Sequence, residues 1–363
     1  MIATTPLRHD ALLVRTCPSA HAAFLHRSRH SGVLHVAFFT GQGEGAPGNG
    51  IGFASFTDAG WSVPRVLVSD ERFSMQNPVL FDGPDSELHL LHTRQDAGPL
   101  GHSQASSDVL HWVSTDDGAT WTEQPRVFER GRGAFIRGPL VRTTDAQRVL
   151  LPLYFTPGGE FSHDRQFSGF AESSDGGRTF QTDNVIQIPG TAGAVGVQPN
   201  VVRLPDGRLV AFHRNRTNLL SHRVGRSVST DDGRTWSTLE ETDLPSNNSS
   251  VAAVILRDGR VVVAFNNSHG ARYPLSLALS SDGGETFTRV VDLTTSELIG
   301  GGERGPESGW LCGEHSYPSM WLDEDALWVA WTHQRLTIAV AKLDLAFLDQ
   351  GDGRSSIGLW NPA

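Results

Sequence analysis

Polar side chains stand at both ends of six apolar segments of this chain, and their types are suited to holding an anion. Each segment consists of two short apolar runs separated by a turn. The first runs begin at these residues: His21, Asn77, Arg137, Gln198, Asn248 with Ser249, and Tyr317. In five segments the second run ends at one of these: Thr40, Arg94, Arg214, Asn266, or His333 with Arg335.

Guanidinium and amide groups predominate in this set, and carboxylates are scarce. Arginine makes charge-assisted, bidentate hydrogen bonds to carboxylates and similar anions. The residues that we expect to bind such a ligand are Arg214, Arg272, Arg137, Arg335, Asn77 and Asn248. If the six segments converge in space, the set predicts a pocket for an acidic ligand.

A second motif repeats along the chain and indicates how the segments are arranged. The pattern Ser-x-Asp-x-Gly-x-Thr, followed by Trp or Phe, occurs at 114–121, 173–180, 229–236 and 280–287. In such a turn we expect Ser and Asp to bind backbone amides, Gly to adopt a positive φ, and the aromatic ring to enter a neighbouring core. The copies lie about 50 to 60 residues apart, which is a spacing typical of repeat architectures.

The apolar segments repeat at a similar spacing, and each reads as a β-hairpin. Their second runs are anchored at Leu34, Leu88, Val149, Leu209, Val261 and Leu327. Six units of this length, each with room for four short strands, predict an all-β fold, a six-bladed β-propeller with these Ser/Asp turns. The polar ends of all six hairpins then meet on one face, at the axis.

A propeller must close its ring. The last hairpin is followed by a single strand pattern at 336–343, which leaves its blade one strand short. Residues 11–15 have a strand pattern that could complete it. We therefore expect residues 1–363 to form one domain, closed by strands from both ends of the chain in one blade.

Composition and charge exclude several classes of partner. The formal net charge is −10 and no run of Lys or Arg stands out, which argues against nucleic acid as a partner. No segment is apolar enough to predict a membrane span, and no signal peptide is recognised, so we expect a cytoplasmic protein. The cysteines, Cys17 and Cys312, form no disulfide framework, and no metal or other cofactor is predicted. The oligomeric state stays open.

The repeats and hairpins together resemble the sialidase (neuraminidase) superfamily, in particular its bacterial branch of predicted neuraminidases with BNR repeats. The resemblance covers nearly the whole chain and includes NPVLF, GPLVR, QPNVVRLPDGRL, ARYPLSLALSSDGGETF and EHSYPSMW. It implies a sialidase-like propeller and an exo-acting glycoside hydrolase for a terminal acidic sugar. By position, Arg214 and Arg272 resemble two of the three arginines that hold the substrate carboxylate, and Tyr317 resembles the nucleophile.

Three positions depart from the family pattern. His21 stands where the first arginine is expected, and Gln198 stands where a glutamate would activate the tyrosine. Glu44 is the acid in the loop where the family has its acid/base aspartate. An amide cannot accept the phenol proton, so classical sialic acid hydrolysis is not expected.

Two further functions use the same residues. A lyase acting on a uronic-acid glycoside needs its substrate carboxylate neutralised, a base for the C5 proton and an acid for the leaving oxygen, which His21 and Tyr317 could supply. A non-catalytic propeller could simply bind a carbohydrate through the arginines, amides and tyrosine.

Overall fold

The computed structural model describes residues 8–97, 103–157, 165–191, 196–216, 222–294 and 313–349. This part of the chain forms six antiparallel sheets of four or five strands, which are the blades of a β-propeller. The predicted fold class is therefore confirmed. A short 3-10 helix, Leu345–Asp349, follows the last strand, and no helix in this part of the chain is long and apolar enough to cross a membrane.

The strands follow the chain from blade one to blade six. Blade one contains β2 (Ser19–Arg27), β3 (Leu34–Gly41), β4 (Gly50–Thr57), β5 (Gly60–Trp61) and β6 (Arg65–Val68). Blade two contains β7 (Phe73–Asp82), β8 (Leu88–Asp96), β9 (Ser103–Ser114) and β10 (Thr122–Phe128). Blade three contains β11 (Ala134–Ile136), β12 (Val141–Arg142), β13 (Val149–Phe155), β14 (Phe167–Ser173) and β15 (Gln181–Gln187).

The remaining three blades are built in the same way. Blade four contains β16 (Val197–Arg203), β17 (Leu209–Arg214), β18 (Arg223–Ser229) and β19 (Glu240–Pro245). Blade five contains β20 (Ala252–Ile255), β21 (Val261–Asn266), β22 (Leu275–Ser280) and β23 (Arg289–Asp292). Blade six contains β24 (His315–Leu322), β25 (Ala326–His333), β26 (Thr337–Asp344) and β1 (Arg8–Leu12).

Blade six is formed from both ends of the described chain. β1 pairs antiparallel with β26, with Ala11 opposite Val340. The strand begins at Arg8, three residues before the predicted 11–15. Apolar side chains pack between neighbouring blades. Leu25 and Val36 of blade one, for example, belong to one hydrophobic cluster with Trp328 of blade six.

The four Ser/Asp turns have one shared geometry. In the third copy, Ser229 Oγ accepts a hydrogen bond from Gly233 N at 2.8 Å, and Asp231 Oδ1 accepts one from Thr235 N at 2.8 Å. Gly233 has φ 81°, and Trp236 stacks on Phe170 of the preceding blade at 4.8 Å between ring centroids. In blades two to five the aromatic residue of the turn thus packs against the preceding blade, as predicted.

One residue on the inner side of every blade adopts a left-handed backbone conformation. These residues, which we call the bulge ring, are Ala22 (φ 58°), Asn77 (47°), Gly138 (94°), Gln198 (55°), Asn248 (65°) and Tyr317 (54°). In blades one, two, four and six the pairing with the second strand shifts register at this point. A β-bulge re-aims a side chain, and such conformations in non-glycine residues cluster at functional sites.

Candidate functional site

Tyr317 of the bulge ring lies among cationic side chains. Its phenol oxygen accepts a hydrogen bond from Arg214 Nη1 at 2.5 Å. The guanidinium carbons of Arg137, Arg214 and Arg272 lie 5.4, 5.7 and 5.4 Å from its ring centroid. The residue is only 6% exposed. Cations at these distances favour the ionised phenol, because they attract the negative charge.

Polar side chains of the bulge ring surround Arg214, which ends β17. Arg214 Nε donates to Asn248 Oδ1 at 2.8 Å, and Nη1 also donates to Gln198 Oε1 at 3.2 Å. The amide nitrogens of Gln198 and Asn77 each lie 3.5 Å from the hydroxyl of Tyr154 in β13. Blades two to five therefore contribute to one polar network, which reaches Tyr317 through Arg214.

Two carboxylates alternate with two arginines beside this network. Arg335 Nη1 donates to Glu44 Oε2 at 2.7 Å, and its Nε donates to Glu314 Oε2 at 2.8 Å. Glu314 Oε1 accepts from Arg272 Nη1 at 2.7 Å and from the hydroxyl of Ser316. This row holds Arg272 and Arg335 in place next to the tyrosine.

His21 completes the wall of the site near Tyr317. The two ring centroids are 4.2 Å apart, and His21 Nδ1 lies 2.8 Å from Thr332 Oγ1. The other ring nitrogen, Nε2, is buried and has no hydrogen-bond partner in the described part of the chain. Burial and the nearby Arg335 hold the pKa of His21 well below its usual value, so the imidazole is neutral at neutral pH.

Burial and neighbouring charges give Tyr317 and Tyr154 different pKa values. Burial opposes ionisation of Tyr317, but Arg214 and Arg272 outweigh it and lower its pKa. Burial raises the pKa of Tyr154 to about 12. At neutral pH Tyr154 therefore remains a hydrogen-bonding phenol, whereas Tyr317 ionises more readily.

Both carboxylates are ionised at neutral pH. Burial alone would raise the pKa of Glu44, but Arg335 outweighs it and lowers the pKa to about 2. The pKa of Glu314 is likewise held well below its usual value, against the effect of burial, by Arg272 and Arg335. Neither group therefore carries a proton to give at neutral pH.

Arg137 is placed differently from the expectation that it binds substrate. Its side chain donates to these acceptors: Ala22 O (3.2 Å), Ala23 O (3.1 Å), Tyr317 O (3.1 Å), Pro318 O (3.0 Å) and Ser250 Oγ (3.3 Å). These bonds use every N–H group of the guanidinium, so none remains for a ligand. The reason is register: Gly138 occupies the bulge ring in blade three, and Arg137, one residue earlier, lies beneath Tyr317 and ties blades one, five and six together.

The structure brings the remaining predicted residues together. They are Tyr317, Glu44, His21, Gln198, Arg214, Arg272, Asn77, Asn248 and Arg335. Sequence reasoning missed Glu314 and Tyr154. Glu314 directly precedes β24, three residues before Tyr317, and Tyr154 lies near the end of the second hairpin strand of blade three, the position that supplies Arg214 in blade four. The hairpin pattern marks both positions, but their partners come from other parts of the chain.

The described residues contain no group of three or more His, Cys, Asp or Glu side chains that could hold a metal ion. The carboxylates that lie closest to Tyr317 are instead paired with arginines. The side chains that form the site are a tyrosine, a neutral histidine, amides, arginines and two ionised carboxylates.

Comparisons with known proteins place this geometry in a family. Residues 32–329 match the family described as BNR repeat-like domain. A curated protein, "Sialidase" of Paraclostridium sordellii, is 28% identical over 137 residues, a stretch that covers 32% of this chain and 34% of that protein. The aligned stretch thus spans about a third of that curated relative.

Solved structures share the fold at low sequence identity. A protein of unknown function from Dyadobacter fermentans has a TM-score of 0.71 and 17% identity, covering 94% of this chain and all of that one. The intramolecular trans-sialidase of Ruminococcus gnavus has a TM-score of 0.69 and 14% identity, covering 94% and 98%. NanB sialidase of Streptococcus pneumoniae has a TM-score of 0.71 and 12% identity, covering 93% and 71%.

The family match spans most of the chain, and the sheet arrangement is that of the sialidase structures. The BNR repeats inferred from the sequence are confirmed by the family match, and the predicted propeller fold is shared with the sialidase structures. The chain belongs to the BNR repeat-like domain family.

Proposed function

We propose that the protein is a sialidase-like glycosidase that cleaves the glycoside of a terminal acidic sugar other than a classical sialic acid substrate. The observation that carries this proposal is the hydrogen bond from Arg214 to the phenol of Tyr317, with Arg272 beside the same ring. A nucleophilic oxygen and cations that suit a substrate carboxylate lie in one buried site.

The arginines are the natural partners of the substrate's acidic group. Arg214, Arg272 and Arg335 all lower the pKa of Tyr317, so their guanidinium charges act on the same space. Related structures contain ligands with acidic groups: oseltamivir carboxylate in the intramolecular trans-sialidase of Ruminococcus gnavus and sialic acid in the sialidase of Trypanosoma rangeli. These ligands support an anionic substrate for this chain.

In the proposed reaction, the oxygen of Tyr317 forms a bond to the anomeric carbon while the bond to the leaving oxygen breaks. Arg214 and Arg272 lower the free energy needed to ionise the phenol. This effect takes the place of the glutamate base that the family pattern has. Glu44 or His21 would accept the phenol proton and pass it to the leaving oxygen, and water would then attack the anomeric carbon, release the sugar and return the proton to Tyr317. Because Glu44 is ionised and His21 neutral, glycosides with good leaving groups should react fastest.

Elimination is a second candidate, and the charge state of the site favours it. A uronic-acid lyase needs a base near neutral pH and a cationic clamp for the carboxylate, but no protonated carboxyl group. Neutral His21 and easily ionised Tyr317 fit these needs. Here His21 or Tyr317 would take the C5 proton, a C4–C5 double bond would form, and the leaving oxygen would depart as the C4–O bond breaks.

Product analysis tests the proposed function. The protein is incubated with a panel of acidic oligosaccharides and aryl glycosides, alongside Tyr317→Phe. We expect a new reducing sugar with the wild type and none with the variant. An unsaturated product that absorbs in the ultraviolet would show elimination instead of hydrolysis, and binding without any product would contradict both reactions.

Gln198→Glu tests the departure from the family pattern in the same assay. The new carboxylate would lie by Arg214, where it can accept the phenol proton. We expect increased cleavage of aryl sialosides relative to the wild type. The matched control is Gln198→Met, which has a similar size but no acceptor oxygen and should give no such increase.

A further inference from the structure

A large cavity lies at the opposite end of the propeller axis from Tyr317. Its volume is about 960 Å³, and every blade contributes to it. In each blade, lining residues lie at or after the bulge ring: 24–29, 80–82, 138–142, 200, 201, 203, 252–253 and 318–321. Because the inner strands lead away from the site of Tyr317, this space, which we call the far cavity, opens on the other face.

Arg137 separates the far cavity from the site of Tyr317. Its guanidinium is buried and bound to carbonyl oxygens of blades one and six on the axis, and the residue also contributes to the cavity lining. A ligand in the far cavity therefore does not reach the phenol. The two ends of the axis are distinct compartments.

The walls of the far cavity are mainly apolar, with arginines near the far face. Leu25, Leu80, Val201, Ala253 and Met320 line the wall. The arginines that line it are Arg27, Arg29, Arg142 and Arg203. Arg27 is engaged by Asp323 and Arg203 by Asp232, so these two are neutralised.

Arg142 differs from Arg27 and Arg203 in its partners. Its Nη2 donates to the carbonyl oxygen of Asp82 at 2.7 Å, and no carboxylate in the described part of the chain forms an ion pair with it. Arg29 donates to the same carbonyl group at 3.5 Å and is half exposed. The carboxylate of Asp82 lies instead beside His26 and Arg29, at 3.1 and 3.4 Å. The guanidinium groups of Arg142 and Arg29 thus meet at one carbonyl oxygen, and of these two arginines only Arg29 forms an ion pair with the carboxylate of Asp82.

We propose that the far cavity binds an organic anion with an apolar body, whose acidic group lies between Arg142 and Arg29. The apolar body fills the channel and contacts Leu80, Val201 and Met320, where it removes apolar surface from water. The anion supplies the negative charge that Arg142 has no carboxylate to provide in the described part of the chain, through hydrogen bonds from the guanidinium. This binding is independent of the reaction at Tyr317.

Calorimetric titration with octanoate at fixed ionic strength tests the proposal. Acetate carries the charge without the body, and 1-octanol carries the body without the charge. We expect octanoate to bind one molecule per chain, with affinity at least about tenfold higher than that of either control compound. In Arg142→Gln the affinity for octanoate should fall at least about tenfold, and Arg142→Lys should recover part of it.

The Tyr317 site also holds arginines, so it needs its own control. Arg214→Gln should bind octanoate as the wild type does, because Arg214 lies beyond Arg137. Loss of binding in that variant would overturn the proposal, since the Tyr317 site would then be the one occupied. Equal binding of octanoate to Arg142→Gln and wild type, or equal binding of acetate or 1-octanol, would overturn it as well.

Discussion

At the scale of single residues, the site has an amide where the family pattern has a carboxylate base, and an arginine contacts the tyrosine instead. Gln198 does not take a proton, but its oxygen accepts a hydrogen bond from Arg214, and Arg214 in turn donates to the phenol of Tyr317. An amide at this position is uncharged, so it leaves the positive charge of Arg214 to act on the tyrosine, whereas a glutamate would act as a base in its own right. The phenol is thereby activated by a field of cations.

Ionisation of Tyr317 can be measured directly, because the chain contains only three tyrosines. In a Tyr154→Phe/Tyr273→Phe background, phenolate absorbance against pH reports Tyr317 alone. Arg214→Gln should raise the pKa of Tyr317 by about 1 or more, since it removes the nearest cation. Glu44→Gln should lower it, because Glu44 raises the pKa in the wild type.

The matched control is Arg178→Gln, a surface arginine paired with Asp85 and Glu87. It should leave the titration of Tyr317 unchanged. If Arg214→Gln gave the same titration curve as this control, the activation of the phenol by Arg214 would be refuted.

At the scale of elements, the hairpins and turns could be predicted well from the sequence, because their signals are local. Alternating apolar runs and the Ser/Asp turn residues each determine their own backbone. In five blades the second strand of the hairpin begins at the predicted anchor, which is Leu34, Leu88, Val149, Leu209 or Val261. Leu327 lies one residue inside its strand.

The site could be predicted less completely, because it depends on register across blades. A one-residue difference at the bulge separates Gly138, in the ring, from Arg137, which turns away from the ligand side. The partners of Arg137 come from blades one, five and six, so no local pattern announces them. Glu314 was missed for a related reason: its importance lies in two arginines from other parts of the chain.

The Ser/Asp turns should stabilise the junctions between blades, and Gly233→Ala tests this. A Cβ at Gly233 would lie 2.4 Å from Leu150 Cδ1 of blade three, whereas a Cβ at Gly207 would meet nothing within 4 Å. Both glycines have positive φ, 81° and 92°. We expect Gly207→Ala to cost about 1 kcal/mol from backbone strain alone, and Gly233→Ala to cost about 1–3 kcal/mol more.

Urea unfolding of the two variants gives this difference as a difference in the free energy of unfolding. Because the backbone strain is common to both, the excess in Gly233→Ala measures packing between blades three and four. Equal costs would show that the turn is not packed against its neighbour as described.

At the scale of the whole molecule, we propose that the propeller is one domain whose ring is closed by β1. This strand is largely exposed and contributes mainly through its pairing with β26. Its loss should therefore leave an unpaired strand edge, which other chains can join. We expect a variant lacking residues 1–12 to self-associate more than the wild type.

Light scattering after size-exclusion chromatography measures that association. A synthetic peptide of residues 8–12 with short flanking sequence should reduce it by occupying the edge of β26. The same peptide with Ala11→Pro cannot pair as a regular strand and serves as the control. An unchanged oligomeric state after the deletion would contradict closure by β1.

The bulge ring also has a consequence for how this scaffold can acquire new activities. At each ring position the backbone has the same left-handed conformation, which the blade determines. The side chain at each of the six positions can therefore be changed separately. Ala22 and Gly138 leave two of them unfilled, and Asn77, Gln198, Asn248 and Tyr317 fill the others. A library varied at these six codons would sample many arrangements of acids, bases and amides while the surrounding strands remained untouched.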